Sequence, residues 1–195
     1  MRQILIMLVF LLLTGCANVS DTEKSLVEVF GESTSEIKDK LTNTSDWYQN
    51  SRSFPNLKAS SKWFERDEGN GFKTYFTFSE DSNHAFGLVV NEKENKLVQV
   101  LVMTFLDPKF NENASEKAFA SAQMITTATG WTLDEANEKI KQITETNIEK
   151  DTDQVSHNGF VLKRENRRVE QMVFYSIRPE NEEVPVEFMR VLTNT

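Results

Sequence analysis

Phe72, Thr74, Phe76 and Phe78 alternate with Lys73, Tyr75, Thr77 and Ser79, and this period of two predicts a half-buried strand. The same period begins near Trp47, and Trp63 with Phe64 opens a strand that ends at Glu68-Gly69-Asn70-Gly71. Asn70-Gly71 suits a tight hairpin turn, because both residues accept positive φ. Glu80-Asp81-Ser82-Asn83 turns the chain again, after which Phe86, Leu88 and Val90 are expected to continue the inward face of the preceding strand. Residues 97–106 are apolar on both faces, which predicts a central strand covered on both sides. The connections are too short for crossover helices, so these strands should form an antiparallel meander.

Elsewhere the period is helical. Ser20 and Glu23 have capping-box spacing, followed by Leu26, Val29 and Phe30 on one face and Gly31 as a stop. A second short helix is expected from residue 33 or 35 through Ile37 to Leu41, and residues 42–45 read as a loop. Asp107-Pro108 ends the central strand. Asn113 and Glu116 open an alanine-rich helix running to about Thr129, stopped by Gly130. Thr132 and Glu135 form a second capping box ahead of the stripe Leu133, Ala136, Ile140 and Ile143. Residues 151–158 read as a polar loop, and 160–163 and 169–177 as a hairpin turned at Asn166. Residues 184–192 read as a last strand, placed at an edge by Pro185. The sum is an α+β fold: a mainly antiparallel sheet of about seven strands, meander plus C-terminal strands, with N-terminal helices and an inserted helical pair packed on it.

The N-terminus carries a different message. Arg2 precedes an unbroken apolar run over residues 4–13, shorter than the roughly 20 residues a spanning helix needs. Leu13-Thr14-Gly15-Cys16 closes it. These four residues resemble the lipobox of bacterial lipoprotein signal peptides. The resemblance implies cleavage after Gly15, a diacylglyceryl thioether on Cys16 and an extracytoplasmic, lipid-anchored protein. With Ala17 after the cysteine, it further implies sorting to the outer membrane where the host has two membranes. Cys16 is the sole cysteine of the chain, which leaves no thiol for disulfides. One acyl chain holds a protein marginally and two hold it stably. The alternative processing is an ordinary secretory signal cut after Ala17. On the lipoprotein reading, residues 1–15 are the signal peptide, 16–20 a lipidated tether of at most ~14 Å from Ala17 to Ser20, and 21–195 a single extracytoplasmic domain.

Composition narrows the function classes. The chain has 195 residues, 14 of them Phe, and a net charge of −8, which becomes −9 once Arg2 leaves with the signal. Aromatic content of this order predicts a real core, and the negative charge argues against nucleic acid and anionic head groups as partners. The histidines are His84, in step with Phe86 and Leu88, and His157. Neither pairs with a second ligand at metal-binding spacing, and no cofactor or metal is expected. Asp151-Thr152-Asp153 approaches a calcium loop, but Val155 stands where a ligand is needed. Ser35-Glu36-Ile37-Lys38 has the Ser-x-x-Lys spacing of penicillin-interacting enzymes, without the companion Lys-Thr-Gly.

Trp47, Tyr48, Trp63 and Trp131 fall near element ends, where an aromatic groove between sheet and helices would bind a peptide, glycan or lipid. Edge packing of large side chains is the simpler account of the same residues. The leading reading is a non-enzymatic, membrane-anchored interaction module for an envelope component or partner protein. A cell-wall enzyme or enzyme inhibitor using separated carboxylates is the alternative class. A third reading takes the hydrophobic segment 7–14 as the precursor of a peptide resembling bacterial mating pheromones.

Overall fold

Among the described residues seven antiparallel strands form one sheet in the order β1-β2-β3-β4-β7-β6-β5. They are β1 (Phe64–Gly69), β2 (Phe72–Phe78), β3 (His84–Asn91), β4 (Lys96–Phe105), β5 (Thr152–His157), β6 (Phe160–Arg167) and β7 (Met172–Pro179). The computed structural model describes residues 34–43, 56–94, 96–107, 109, 111–145 and 151–182. The signal peptide, Cys16, the tether, the helix expected over 20–30, Trp47, Tyr48 and the strand expected over 184–192 lie outside the described residues.

The four-strand meander is present, and its last strand, β4, is the middle strand of the sheet, as the doubly apolar pattern requires. Asn70 (φ 56°) and Gly71 (φ 86°) make the first hairpin turn, both in the left-handed region expected of them. The second half of the sheet differs from expectation. Residues 152–157, read as loop, are strand β5, paired from Thr152↔Glu165 to His157↔Phe160. Its turn is Asn158-Gly159, with φ of 51° and 81°, the same turn chemistry as Asn70-Gly71. The β6–β7 turn lies beyond Asn166, since Arg167 still pairs with Met172.

Register decides which side chains share a face. Thr77 stands opposite Phe86, and Tyr75 opposite Leu88. Directly opposed residues point the same way, so Phe86, Leu88 and Val90 do not continue the face of Phe72, Thr74, Phe76 and Phe78. They share the other face with Lys73, Tyr75 and Thr77. The expectation failed because both faces of the meander are apolar, and the number of residues in the 79–83 turn, rather than the pattern, sets the parity across it.

Among the described residues three helices cover the Phe86 face: α1 (Thr34–Thr42), α2 (Ala114–Ala128) and α3 (Leu133–Glu145). α1 contributes Ile37 and Leu41, one turn apart and both fully buried. α2 is buried on almost every side, which its small residues permit: Ala118, Ala120, Ala122 and Ala128 let the helix lie close to β4 and α3. Its buried hydroxyls return to the helix itself, Thr126 Oγ1 donating to the Ala122 carbonyl at 2.9 Å and Thr129 Oγ1 to Thr126 at 2.8 Å. Asn113 precedes α2 in the left-handed region (φ 58°), and its side chain makes no capping bond. Phe86, Leu88, Val100, Val102, Tyr175 and Ile177 meet Met124, Ile125, Ile140 and Ile143 in one core.

α3 opens with the full capping box. The Thr132 N–H and hydroxyl donate to Glu135 Oε2 at 2.8 and 2.7 Å, and the Glu135 N–H donates to Thr132 Oγ1 at 3.3 Å. Thr132→Ala is expected to cost about 1 kcal/mol of stability in urea unfolding at unchanged m; no loss would show that Glu135 holds the helix end alone.

Candidate functional site

The β2–β3 turn, the upper end of β4 and the first turns of α2 enclose a cluster of polar side chains. His84 is fully buried, on the helix-covered face opposite Thr104. Its Nδ1 lies 2.9 Å from Thr104 Oγ1, which lies 3.1 Å from Ser121 Oγ. Ser121 donates its one hydroxyl proton to the Ala118 carbonyl at 2.9 Å. With the Ser121 proton on that carbonyl, Thr104 donates to Ser121 and its oxygen accepts from His84 Nδ1–H. In that arrangement the neutral imidazole is the Nδ1–H tautomer, and Nε2 carries a lone pair.

That Nε2 has no hydrogen-bond partner and stands 4.0 Å from Asp81 Oδ2. The other carboxylate oxygen is committed, since Asp81 Oδ1 accepts from the Ser79 hydroxyl at 2.6 Å and the Asn83 N–H at 3.1 Å. Lys117 places its ammonium 3.4 Å from Oδ2 and donates to Asn111 Oδ1 at 3.0 Å. Asn111 in turn donates to the Phe105 carbonyl at 2.6 Å. Burial pushes His84 down to about 4 from an ordinary 6.5; Asp81 pulls the other way and Lys117 adds to the lowering. Burial raises the Asp81 carboxyl, but the bonds from Ser79 and Asn83 leave it below its ordinary value.

Ser79, His84 and Asp81 carry the residue types of a hydrolase triad in the wrong arrangement. The serine hydroxyl donates to the carboxylate, and the imidazole lone pair faces that carboxylate instead of a nucleophile. The cluster is arranged to take up a proton, not to activate a hydroxyl.

A second polar group sits at the opposite end of the sheet. His157 Nε2 is 3.0 Å from Glu135 Oε1, and Asn158 Nδ2 donates to the same oxygen at 3.3 Å. The Trp131 ring meets His157 edge-on, centroids 5.0 Å apart. Bonds from the Thr132 N–H, then its hydroxyl, then His157 bring Glu135 down to about 2, so it is a carboxylate at any ordinary pH. The Trp131 indole N–H is buried without a partner.

Trp63 and Trp131, the aromatic candidates among the described residues, are not gathered together. Trp63 leads into edge strand β1, with the Lys38 ammonium 5.9 Å from its ring and 4.0 Å from that of Tyr75. Trp131, 6 % exposed, packs against the far edge strand β5. Six strand spacings of ~4.8 Å put the two edges on the order of 30 Å apart, so these two indoles do not line one groove. Among the described residues, no group of three or more His, Cys, Asp or Glu is placed to hold a metal ion.

The other face of the sheet is apolar across its centre as well. Register puts Phe64, Phe76, Gly87, Leu101 and Ser176 in one row across it. Phe78, Ala85, Met103 and Phe174 form the next row. Phe64 stacks on Phe76 at 5.5 Å, both part-exposed, whereas Ala85, Gly87, Leu101, Met103 and Phe174 are buried. Among the described residues no helix packs on this face, which turns polar over β6 with Lys163, Glu165 and Arg167. The signal was in the sequence: residues 97–106 are apolar on both faces, and Phe72, Phe76 and Phe78 repeat at strand spacing. For the His84 cluster the sign was Thr104, a hydroxyl in step with Val100 and Val102 inside an otherwise apolar run. Compared with known protein families, characterised proteins and solved structures, the chain matches none.

Proposed function

We propose that this chain is a membrane-anchored extracytoplasmic lipoprotein whose sheet domain binds an envelope component or a partner protein. The observation that carries the reading is the part-exposed aromatic corner of the second face on β1 and β2, where Phe64 stacks on Phe76 in line with Phe72 and Phe78, while the face is buried from Ala85 through Leu101 and Met103 to Phe174. Part-exposed aromatic rings grouped at one sheet edge offer contact area to a partner. The lipobox residues Leu13-Thr14-Gly15-Cys16 supply the anchor, and a domain tethered by a few residues works within reach of the membrane.

The test is crosslinking on intact host cells, with the tagged full-length chain against a Cys16→Ser control, read by mass spectrometry. One envelope protein enriched by the anchored form alone, and lost on Phe76→Ser, is the expected result. Enrichment of nothing, with either form, would overturn the binding reading.

The enzyme reading keeps one specific foothold, the Glu135–His157 pair beside Trp131. Turnover of wall fragments that Glu135→Gln abolishes, with folding intact, would promote it.

A further inference from the structure

We propose that His84 and Asp81 form an acid-operated latch: a proton taken up at His84 Nε2 turns the facing Asp81 Oδ2 from an idle neighbour into a hydrogen-bond acceptor and draws it away from Lys117. The hydroxyl chain through Thr104 and Ser121 fixes the first half of the device, because it locks the neutral ring with its lone pair toward Asp81. Two acceptors facing each other at 4.0 Å cannot bond. One proton on Nε2 converts them into an imidazolium and a carboxylate within reach of a charged hydrogen bond.

The second half is what Asp81 leaves behind. Its Oδ2 is the oxygen near Lys117, while Oδ1 stays bound to Ser79 and Asn83. Lys117 then has Asn111 alone, and the joint between the β2–β3 turn and the start of α2 loses its ionic tie. The groups facing His84 are Asp81 from the turn, Thr104 from β4, and Lys117 and Ser121 from α2; the neighbouring Glu80 is engaged by Lys58 at 3.2 Å. A burial-lowered His84 places the operation in acid, so the latch is set at neutral pH and released on acidification.

The experiment is nitrogen-15 NMR of the imidazoles in the full chain in detergent micelles, with amide exchange followed over the same pH range. The chain has two histidines, and His157→Gln assigns them. The neutral His84 ring should show Nδ1 protonated and Nε2 bare, the less common tautomer of free imidazole. Asp81→Asn should move its protonation to lower pH and Lys117→Met to higher pH. Below the transition, amides of residues 79–83 and 111–117 should lose protection severalfold, once the pH dependence of intrinsic exchange is divided out, and His84→Gln should abolish that acceleration. A protonated Nε2 at neutral pH, a midpoint unmoved by Asp81→Asn, or acceleration that persists without His84 would each overturn the latch. The tautomer is read on the unaltered chain, so a variant that misfolds leaves that arm of the test standing.

Discussion

Phe86→Ala is expected to lower the stability of the domain by about 3–5 kcal/mol, the cost of removing a large aromatic side chain from a packed core. Phe86 is fully buried, on β3 between Thr77 of β2 and Val102 of β4, on the face where the helices pack. The loss combines the transfer of the ring with a cavity that β3, paired along its length on both sides, has little freedom to close. Urea unfolding of the full chain carrying Cys16→Ala, with and without Phe86→Ala, measures it at equal m. Phe76→Ala serves as the comparison. Phe76 lies on the other face, part-exposed and stacked on Phe64, and should lose clearly less. Equal losses at the two positions would mean that Phe76 is packed as firmly as Phe86, and an interaction role for the aromatics of β1 and β2 would lose its main support.

That contrast shows where the pattern of residues sufficed. Element identity was legible wherever one physical signal acted alone. Asn70-Gly71 demanded positive φ and made the turn; Thr132 and Glu135 could cap reciprocally and do. Ile37 and Leu41, four apart, made one buried helical face. Facial assignment across the β2–β3 turn was not legible, because Phe72, Phe76 and Phe78 are as apolar as Phe86, Leu88 and Val90. Hydrophobicity could not say which set met the helices; pairing register did.

β5 shows the opposite failure. Asp153, Val155 and His157 carry one apolar residue among them, and the strand exists because β6 offers a ladder of backbone partners and Asn158-Gly159 a turn into it. The same holds for the sites. Trp63 and Trp131 were legible as large side chains at element ends, but not as residents of opposite edges, since strand order is a property of the whole chain. His84 was legible as a residue in step with Phe86. Its partners, 20 and 33 residues away at Asn111-flanked β4 and on α2, were not: Asp81 is local, but Thr104 and Lys117 arrive only through tertiary packing.

Acidification from pH 7 to pH 4 is expected to remove about 3 kcal/mol of stability through His84 alone. In the unfolded chain the imidazole takes its proton at an ordinary 6.5, and in the folded chain at about 4. Between those values the unfolded state binds more protons, so stability falls as pH falls through the interval and the loss levels off below about 4. About 2.5 pH units at about 1.4 kcal/mol per unit gives the magnitude. Glu135 acts in a separate window: its carboxyl, lowered to about 2, contributes stability above its ordinary 4.5 that is lost only in stronger acid. His84→Gln should therefore flatten the stability profile between pH 6.5 and 4, leave the fall below pH 4 in place, and lower stability at pH 7 if the amide cannot replace the bond to Thr104. A profile that keeps its full slope in the His84→Gln chain would assign the acid sensitivity to the carboxylates instead, and would leave the buried imidazole as packing alone.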